Sequence, residues 1–267
     1  MSSIHPSAVI EPGAQIGEGC SIGAFCLVGS NAVLGEGVVL HSHVVVTGRT
    51  TLGAGCQVFP FASLGHAPQD LKYKGEASAL EIGPKCVIRE QVTMNPGTEG
   101  GGMLTKVGAG CLLMVGAHVA HDCILGDGVI LANNATLAGH VQIGDRAILG
   151  GLSAVQQFCR VGRNAMIGGM AGIRQDVVPF ALVSGRPGVL TGLNMVGLRR
   201  AASQREEIES LRAVFTKVFD SKAGTIAERV AALDEPAADQ ALVQAFLAFV
   251  KGKSAHGFMH PSGTDAL

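Results

Sequence analysis

From Ile4 to about Val178 the chain repeats every six residues, and an aliphatic residue opens each unit. The series runs Ile4, Ile10, Ile16, Ile22, Val28, Leu34, Leu40, Val46, Leu52, Val58, Leu64; it resumes at Ile82 and Ile88, and again from Val107 through Leu137 and Val155 to Ile173. Such a period fits neither a free helix nor a heptad. It is the period of a parallel β-helix, in which three short strands and three corners make one coil. The first residue of each unit is expected to point inward. Glycine, which often follows it (Gly17, Gly35, Gly144), is expected to supply unusual corner angles.

The cysteines test this phase. All seven (Cys20, Cys26, Cys56, Cys86, Cys111, Cys123, Cys159) fall on the fifth position of a unit. Scattered metal ligands or disulfide partners would not share one phase, whereas small, soft core residues would. Free thiols, no zinc site built on them and a reducing compartment follow. A formal net charge of −1 gives no pull toward nucleic acid or an anionic membrane. MSSIHPSAVI already carries the repeat, and the apolar residues come in period rather than in runs, so a cytoplasmic protein with neither signal peptide nor membrane span is expected.

Two polar or glycine-rich insertions interrupt the solenoid, near 65–80 (GHAPQDLKYKGEASAL) and 95–106 (NPGTEGGGMLTK). Long loops on a repeat scaffold usually carry function. The solenoid is read as residues 1–184 and a C-terminal helical region as 185–267. There, Ser203 with Glu206 and Thr225 with Glu228 form capping boxes. Ile208, Leu211, Phe215 and Val218 make an apolar stripe, and Pro236 opens a third helix with Leu242, Phe246 and Phe249 on one side. The tail from Gly252 has little to bury.

One stretch of the repeat is unusually polar: His118, His121, Asp122, Asn133, Asn134 and His140 cluster there. Residues eighteen apart are neighbours on adjacent coils, with backbones about 4.8 Å apart. His121 therefore sits beside Gly139, with Gln157 one coil further on, and Asp122 sits beside His140. This set suits acyl transfer. An imidazole can take a proton from an attacking hydroxyl near neutral pH. A carboxylate can hold its tautomer, and the uncovered N–H of Gly139 can face an oxyanion. No serine or cysteine is poised as a nucleophile, so the acceptor attacks directly. His118 is divided between substrate contact and a structural hydrogen bond. His5, His41, His43, His66, His256 and His260 read as ordinary surface or loop residues.

The whole chain resembles the UDP-N-acetylglucosamine O-acyltransferases that begin lipid A synthesis. The resemblance rests on QDLKYKGE at 69–76, AHVAHDC at 117–123, ILANNATLAGHV at 130–141, QQFC at 156–159 and GLNMVGLRR at 192–200. It implies a left-handed parallel β-helix with a C-terminal α-helical segment. It also implies a homotrimer with active sites between subunits and an acyl-carrier-protein thioester as donor, with no other cofactor. By motif, His121 would be the general base, Asp122 its carboxylate and Gly139 the oxyanion position. Asp70, Lys72, His118, His140, Gln157, Asn194 and Arg200 would contact the sugar nucleotide or the donor. Gly169 would limit acyl length, unless it merely satisfies a corner backbone angle.

Three departures fall near the expected sugar and nucleotide sites: Asn95-Pro96 for His-Arg, Gln156 for His, and Val196 for Glu. Some relatives acylate a 3-amino analogue of the sugar. Two other classes compete: a zinc-dependent lyase resembling γ-class carbonic anhydrases, using His118, His121 and His140, and a structural solenoid without chemistry.

Overall fold

The computed structural model describes residues 1–201, 204–219, 224–233 and 240–261. Residues 1–178 wind as a left-handed parallel β-helix, against the usual right-handed rule for parallel crossovers. Its three walls are parallel sheets. The first includes Ile130–Leu131, the second His118–Val119 and the third Ile124–Leu125; among the described residues they hold eleven, nine and eight strands, the last two of the eleven lying beyond residue 178. Most strands hold two residues, and away from the two insertions partners on adjacent coils are eighteen apart, as in His118↔Thr136 and Ile130↔Ile148.

The interior follows the period. Opening residues such as Val28, Leu40, Val119, Leu131 and Leu149 are fully buried. So are all seven cysteines, none of them in a disulfide. Several thiols donate to a carbonyl of the next coil, as Cys20 does to Gly35 at 3.2 Å and Cys123 to Ala138 at 3.1 Å. Burial pushes the Cys123 and Cys159 thiols up to about 12, so both are protonated and unreactive. All seven thiols are therefore expected to resist a soluble thiol reagent in the native protein and to titrate completely in denaturant. Intact mass measured without reductant checks the pairing: a disulfide, or stoichiometric zinc, would contradict the shared phase.

The corners depart from the expectation on one point. The glycine after the aliphatic residue is not left-handed; Gly17 is there because a Cβ would lie 2.6 Å from the carbonyl carbon of Gly35 on the next coil. The left-handed angle falls on the fourth residue instead, and ordinary residues adopt it too: Asp122 (φ 60°), His140 (φ 63°) and Phe158 (φ 64°) among them.

After the last coil, Ala181–Ser184 continues the first sheet and Val189–Leu193 pairs with it antiparallel. Among the described residues four helices follow: α1 (Met195–Arg200), α2 (Arg205–Phe219), α3 (Ile226–Ala231) and α4 (Ala241–Lys251). The apolar stripe of α2 is buried as expected, and the Thr225–Glu228 capping box starts α3. Ser203 and Pro236 lie outside the described residues. In α4 Val243, Phe246 and Val250 are buried, while Leu242 and Phe249 pack partly buried against the core. Phe249 also takes the Arg160 guanidinium 4.4 Å over its ring, which docks α4 beside the third sheet. The segment after α4 also packs, contrary to expectation. The Asp176 N–H donates to the Gly257 carbonyl and the Met259 N–H to that of Asp176, both at 2.9 Å, and Met259 is buried. Among the described residues no helix is long and apolar enough to cross a membrane.

Candidate active site

One edge of the solenoid, the corner from the second sheet to the third, gathers the polar residues. His121-Asp122, Gly139-His140 and Gln157-Phe158 occupy it on three successive coils. Both insertions leave the same edge on the two preceding coils. The first leaves between Ser63–Leu64 and Ala79–Ile82, the second between Thr93–Met94 and Leu104–Val107. The loops are tied together: the Asn95 amide donates to the carbonyls of His66 (3.1 Å) and Ala67 (3.3 Å).

The centre is a bonded pair. His121 Nδ1 lies 2.8 Å from Asp122 Oδ2, although the two are sequence neighbours. The left-handed angle at Asp122 turns its carboxylate back toward the preceding ring. Both residues are buried, and the Asp122 side chain is wholly inaccessible. An ionised carboxylate only accepts, so Nδ1 donates and Nε2 carries the lone pair. That Nε2 faces Gly139, where a Cβ would approach to 2.6 Å, so any side chain there would collide with the ring. Among the described residues the Gly139 N–H donates to no carbonyl.

Sequence reasoning missed what holds the carboxylate. The Thr98 N–H donates to Asp122 Oδ1 at 2.8 Å and the Thr98 hydroxyl to Oδ2 at 2.6 Å. The Asp122 N–H donates to the Thr105 hydroxyl at 2.7 Å. Gly101 packs against the carboxylate, leaving no room for a Cβ. The sequence marks the glycine-rich insertion at 95–106 as one that carries function, but nothing in GTEGGG singles out Thr98 for this contact.

His140 stands edge-on to His121, with centroids 5.0 Å apart, and stacks on Phe158 at 4.4 Å and 10°. Its Nδ1 is 3.9 Å from Asp122 Oδ2. Burial holds its imidazole below the usual histidine range, and the charges of Asp70 and Lys72 reach it with opposite sign. The first loop leaves the solenoid at this edge. The Asp70 carboxylate accepts from the Lys72 N–H at 3.0 Å, while the Lys72 side chain is exposed. His118, half-buried on the second sheet, meets the Thr93 hydroxyl through Nδ1 at 2.7 Å, and burial lowers its basicity as well. Gln157 is exposed, and its carbonyl meets His256 Nε2 at 2.9 Å, a contact not anticipated for His256.

Other expected residues lie elsewhere. Asn133 and Asn134 occupy the corner from the first sheet to the second, not the His121 edge. Gly169 shares their corner; its φ is not left-handed, so no corner angle demands glycine there. Asn194 sits at the third corner. It caps α1 by accepting from the Gly197 N–H at 2.9 Å, and its amide donates to the Asn164 carbonyl at 3.1 Å. Arg200 ends α1, exposed. His118 is also outside the set whose donor atoms converge within 4.8 Å, which is His121, Asp122 and His140.

A family model of hexapeptide bacterial transferases matches residues 1–30, 13–48 and 104–139, and one described as UDP N-acetylglucosamine O-acyltransferase, domain 2, matches residues 176–259. The acyl-[acyl-carrier-protein]–UDP-N-acetylglucosamine O-acyltransferase of Azorhizobium caulinodans is 57% identical over 83% of this chain and 81% of its own. That of Caulobacter vibrioides is 52% identical over 93% and 94%. The chain belongs to this O-acyltransferase family. Solved UDP-N-acetylglucosamine acyltransferases superpose along almost the whole length. The Campylobacter jejuni protein has a TM-score of 0.90 at 38% identity, covering 97% of this chain and 99% of its own. The Francisella novicida protein has 0.93 at 33%, covering 99% and 96%. The protein is therefore an acyltransferase. Of its departures, Asn95 is buried as the bridge between the two loops, with Oδ1 unpartnered. Val196 is an exposed apolar residue on α1, and Gln156 is exposed beside Gln157.

Proposed function

We propose that this enzyme transfers an (R)-3-hydroxyacyl chain from acyl carrier protein to the 3-position of UDP-N-acetylglucosamine, the first step of lipid A synthesis. The observation that carries the mechanism is the His121–Asp122 pair with Nε2 turned toward Gly139. Nε2 takes the proton of the acceptor hydroxyl as its oxygen attacks the thioester carbonyl carbon. The carbonyl oxygen becomes an oxyanion, stabilised by the Gly139 N–H. The C–S bond then breaks, and the imidazolium returns the proton to the departing phosphopantetheine thiolate. Asp122 keeps Nδ1 protonated and stabilises the imidazolium without becoming protonated itself. No covalent acyl-enzyme is needed, and every cysteine is buried.

Support for a homotrimer comes from the corners. Gly169, Asn194 and Arg200 lie off the His121 edge of their own chain, so a site that uses all of them must be completed by another subunit. Buried, unpaired thiols agree with a reducing cytoplasm.

The test is acyl transfer from a series of hydroxyacyl carriers to UDP-N-acetylglucosamine and to its 3-amino analogue. Ester formation with the first supports the reading; exclusive amide formation with the second replaces the acceptor. Activity lost to a chelator and restored by zinc would overturn the metal-free mechanism.

Lys72 supplies a further expectation. Its side chain is exposed in the first loop, and an ammonium there would pair with a phosphate. Lys72→Ala is expected to raise KM for donor or acceptor about tenfold at low salt. The effect should shrink at high ionic strength as the charge is screened. Unchanged low-salt kinetics would leave Lys72 a solvated surface residue.

A further inference from the structure

Thr98 is the most heavily committed residue of the second loop. It is buried, and a 3-10 turn at Glu99–Gly101 closes directly behind it. Its carbonyl accepts from the N–H groups of Gly101 (3.1 Å) and Met103 (2.9 Å), which fixes its backbone. Its N–H and hydroxyl then grip the two oxygens of Asp122. Oδ2 is shared, accepting from the Thr98 hydroxyl at 2.6 Å and from His121 Nδ1 at 2.8 Å. Below the carboxylate, Thr105 holds the Asp122 N–H, and Gly101 blocks rotation from the other side.

A carboxylate on a short side chain has a broad torsion about its last bond. Held by His121 alone, it could turn to present either oxygen, or swing toward His140, whose Nδ1 lies 3.9 Å away. The Thr98 grip leaves one orientation, with Oδ2 in line for His121 Nδ1. Through that bond it sets the imidazole plane and the direction of Nε2 toward Gly139.

We infer that Thr98 is a positioning residue of the acyl transfer, acting on the base through Asp122. The inference rests on His121 being the general base. Thr98 is buried and its N–H and hydroxyl are both committed to Asp122, so its loss is expected to lower kcat and leave KM alone. Its N–H bond is independent of the side chain, so Thr98→Val deletes only the hydroxyl bond to Oδ2 at nearly constant shape. Thr98→Ser retains that bond.

The experiment is a double-mutant cycle on the full-length protein, measuring kcat and both KM values, with thermal melting and gel filtration to verify folding. Thr98→Val is expected to lower kcat about tenfold, and Thr98→Ser to stay within about twofold of the parent, with both KM values unchanged. In an Asp122→Asn background, Thr98→Val should cost less than about twofold more, because the path it acts through has already been cut. Should Thr98→Val fail to fold, Thr98→Ala gives the same comparison with a smaller side chain. Equal losses in the two backgrounds, a loss carried by KM, or Thr98→Ser as impaired as Thr98→Val would each overturn the inference. His121→Ala separates the two levels. If it is nearly inactive while Thr98 and Asp122 act additively, only the positioning role falls. If it turns over like the parent, the base assignment falls and the positioning role with it.

Discussion

His121→Ala is expected to leave a folded protein of unchanged oligomeric state and to lower turnover about 10²–10⁴-fold, the usual loss for a general base. Folding survives because the side chain projects from a corner and contributes nothing to the aliphatic interior. The bonds that hold this coil to the next are backbone bonds, from the Ala120 N–H to Leu137 and from the His140 N–H to the His121 carbonyl, and alanine keeps both. Asp122 does not become an orphaned buried charge either, since Thr98 still donates to both its oxygens. What is lost is Nε2, the proposed proton acceptor, which faces Gly139. His140 is a poor substitute: it stands edge-on to His121, stacked on Phe158, and burial already disfavours its protonated form. Steady-state and single-turnover rates on purified protein check the expectation, and parent-like turnover by the pure variant would remove His121 from the mechanism.

Gly169→Met is expected to shift donor preference toward shorter hydroxyacyl chains. The native protein, with two adjacent glycines at 168 and 169, should prefer a longer chain. The structure removes the competing account of this glycine, since the left-handed residue of its corner is Met170, not Gly169. A Cβ at Gly169 would meet the Gly151 carbonyl oxygen at 3.3 Å, a tight contact that the backbone must yield to by a few tenths of an ångström. The rest of the side chain would project from an exposed corner, where the acyl tail is proposed to run between subunits. Each methylene denied burial forfeits about 0.8 kcal/mol, so losing two costs roughly tenfold in affinity for the longer donor. Measuring kcat/KM across a hydroxyacyl series on both proteins decides the matter. A uniform loss with an unchanged length profile would rule out a ruler at this position.

Much of the molecule can be read from the period alone. Inward aliphatics, cysteines in one phase and neighbours eighteen apart follow because a parallel coil repeats one burial pattern and one hydrogen-bond register, both written into every sixth residue. The adjacency of His121 with Gly139 and of Asp122 with His140 came from that register. The start of α3 was legible because a capping box is local.

Tertiary structure decided whatever depends on where non-repeating chain folds back. The period does not say that both insertions leave the edge that carries His121, nor that Thr98 reaches across the second loop to grip Asp122. Adjacency in sequence suggested a cluster that included Asn133 and Asn134, but the corner geometry sends them to a different edge. The bond between the neighbours His121 and Asp122 depends on the left-handed angle at Asp122, which no residue type announces there. The segment after α4 looked too polar to be held, yet it is anchored through backbone hydrogen bonds to Asp176, and such bonds leave no trace in the hydrophobic pattern. Periodic burial is a property of the sequence; the aim of a buried carboxylate is set by loops whose contacts have no period.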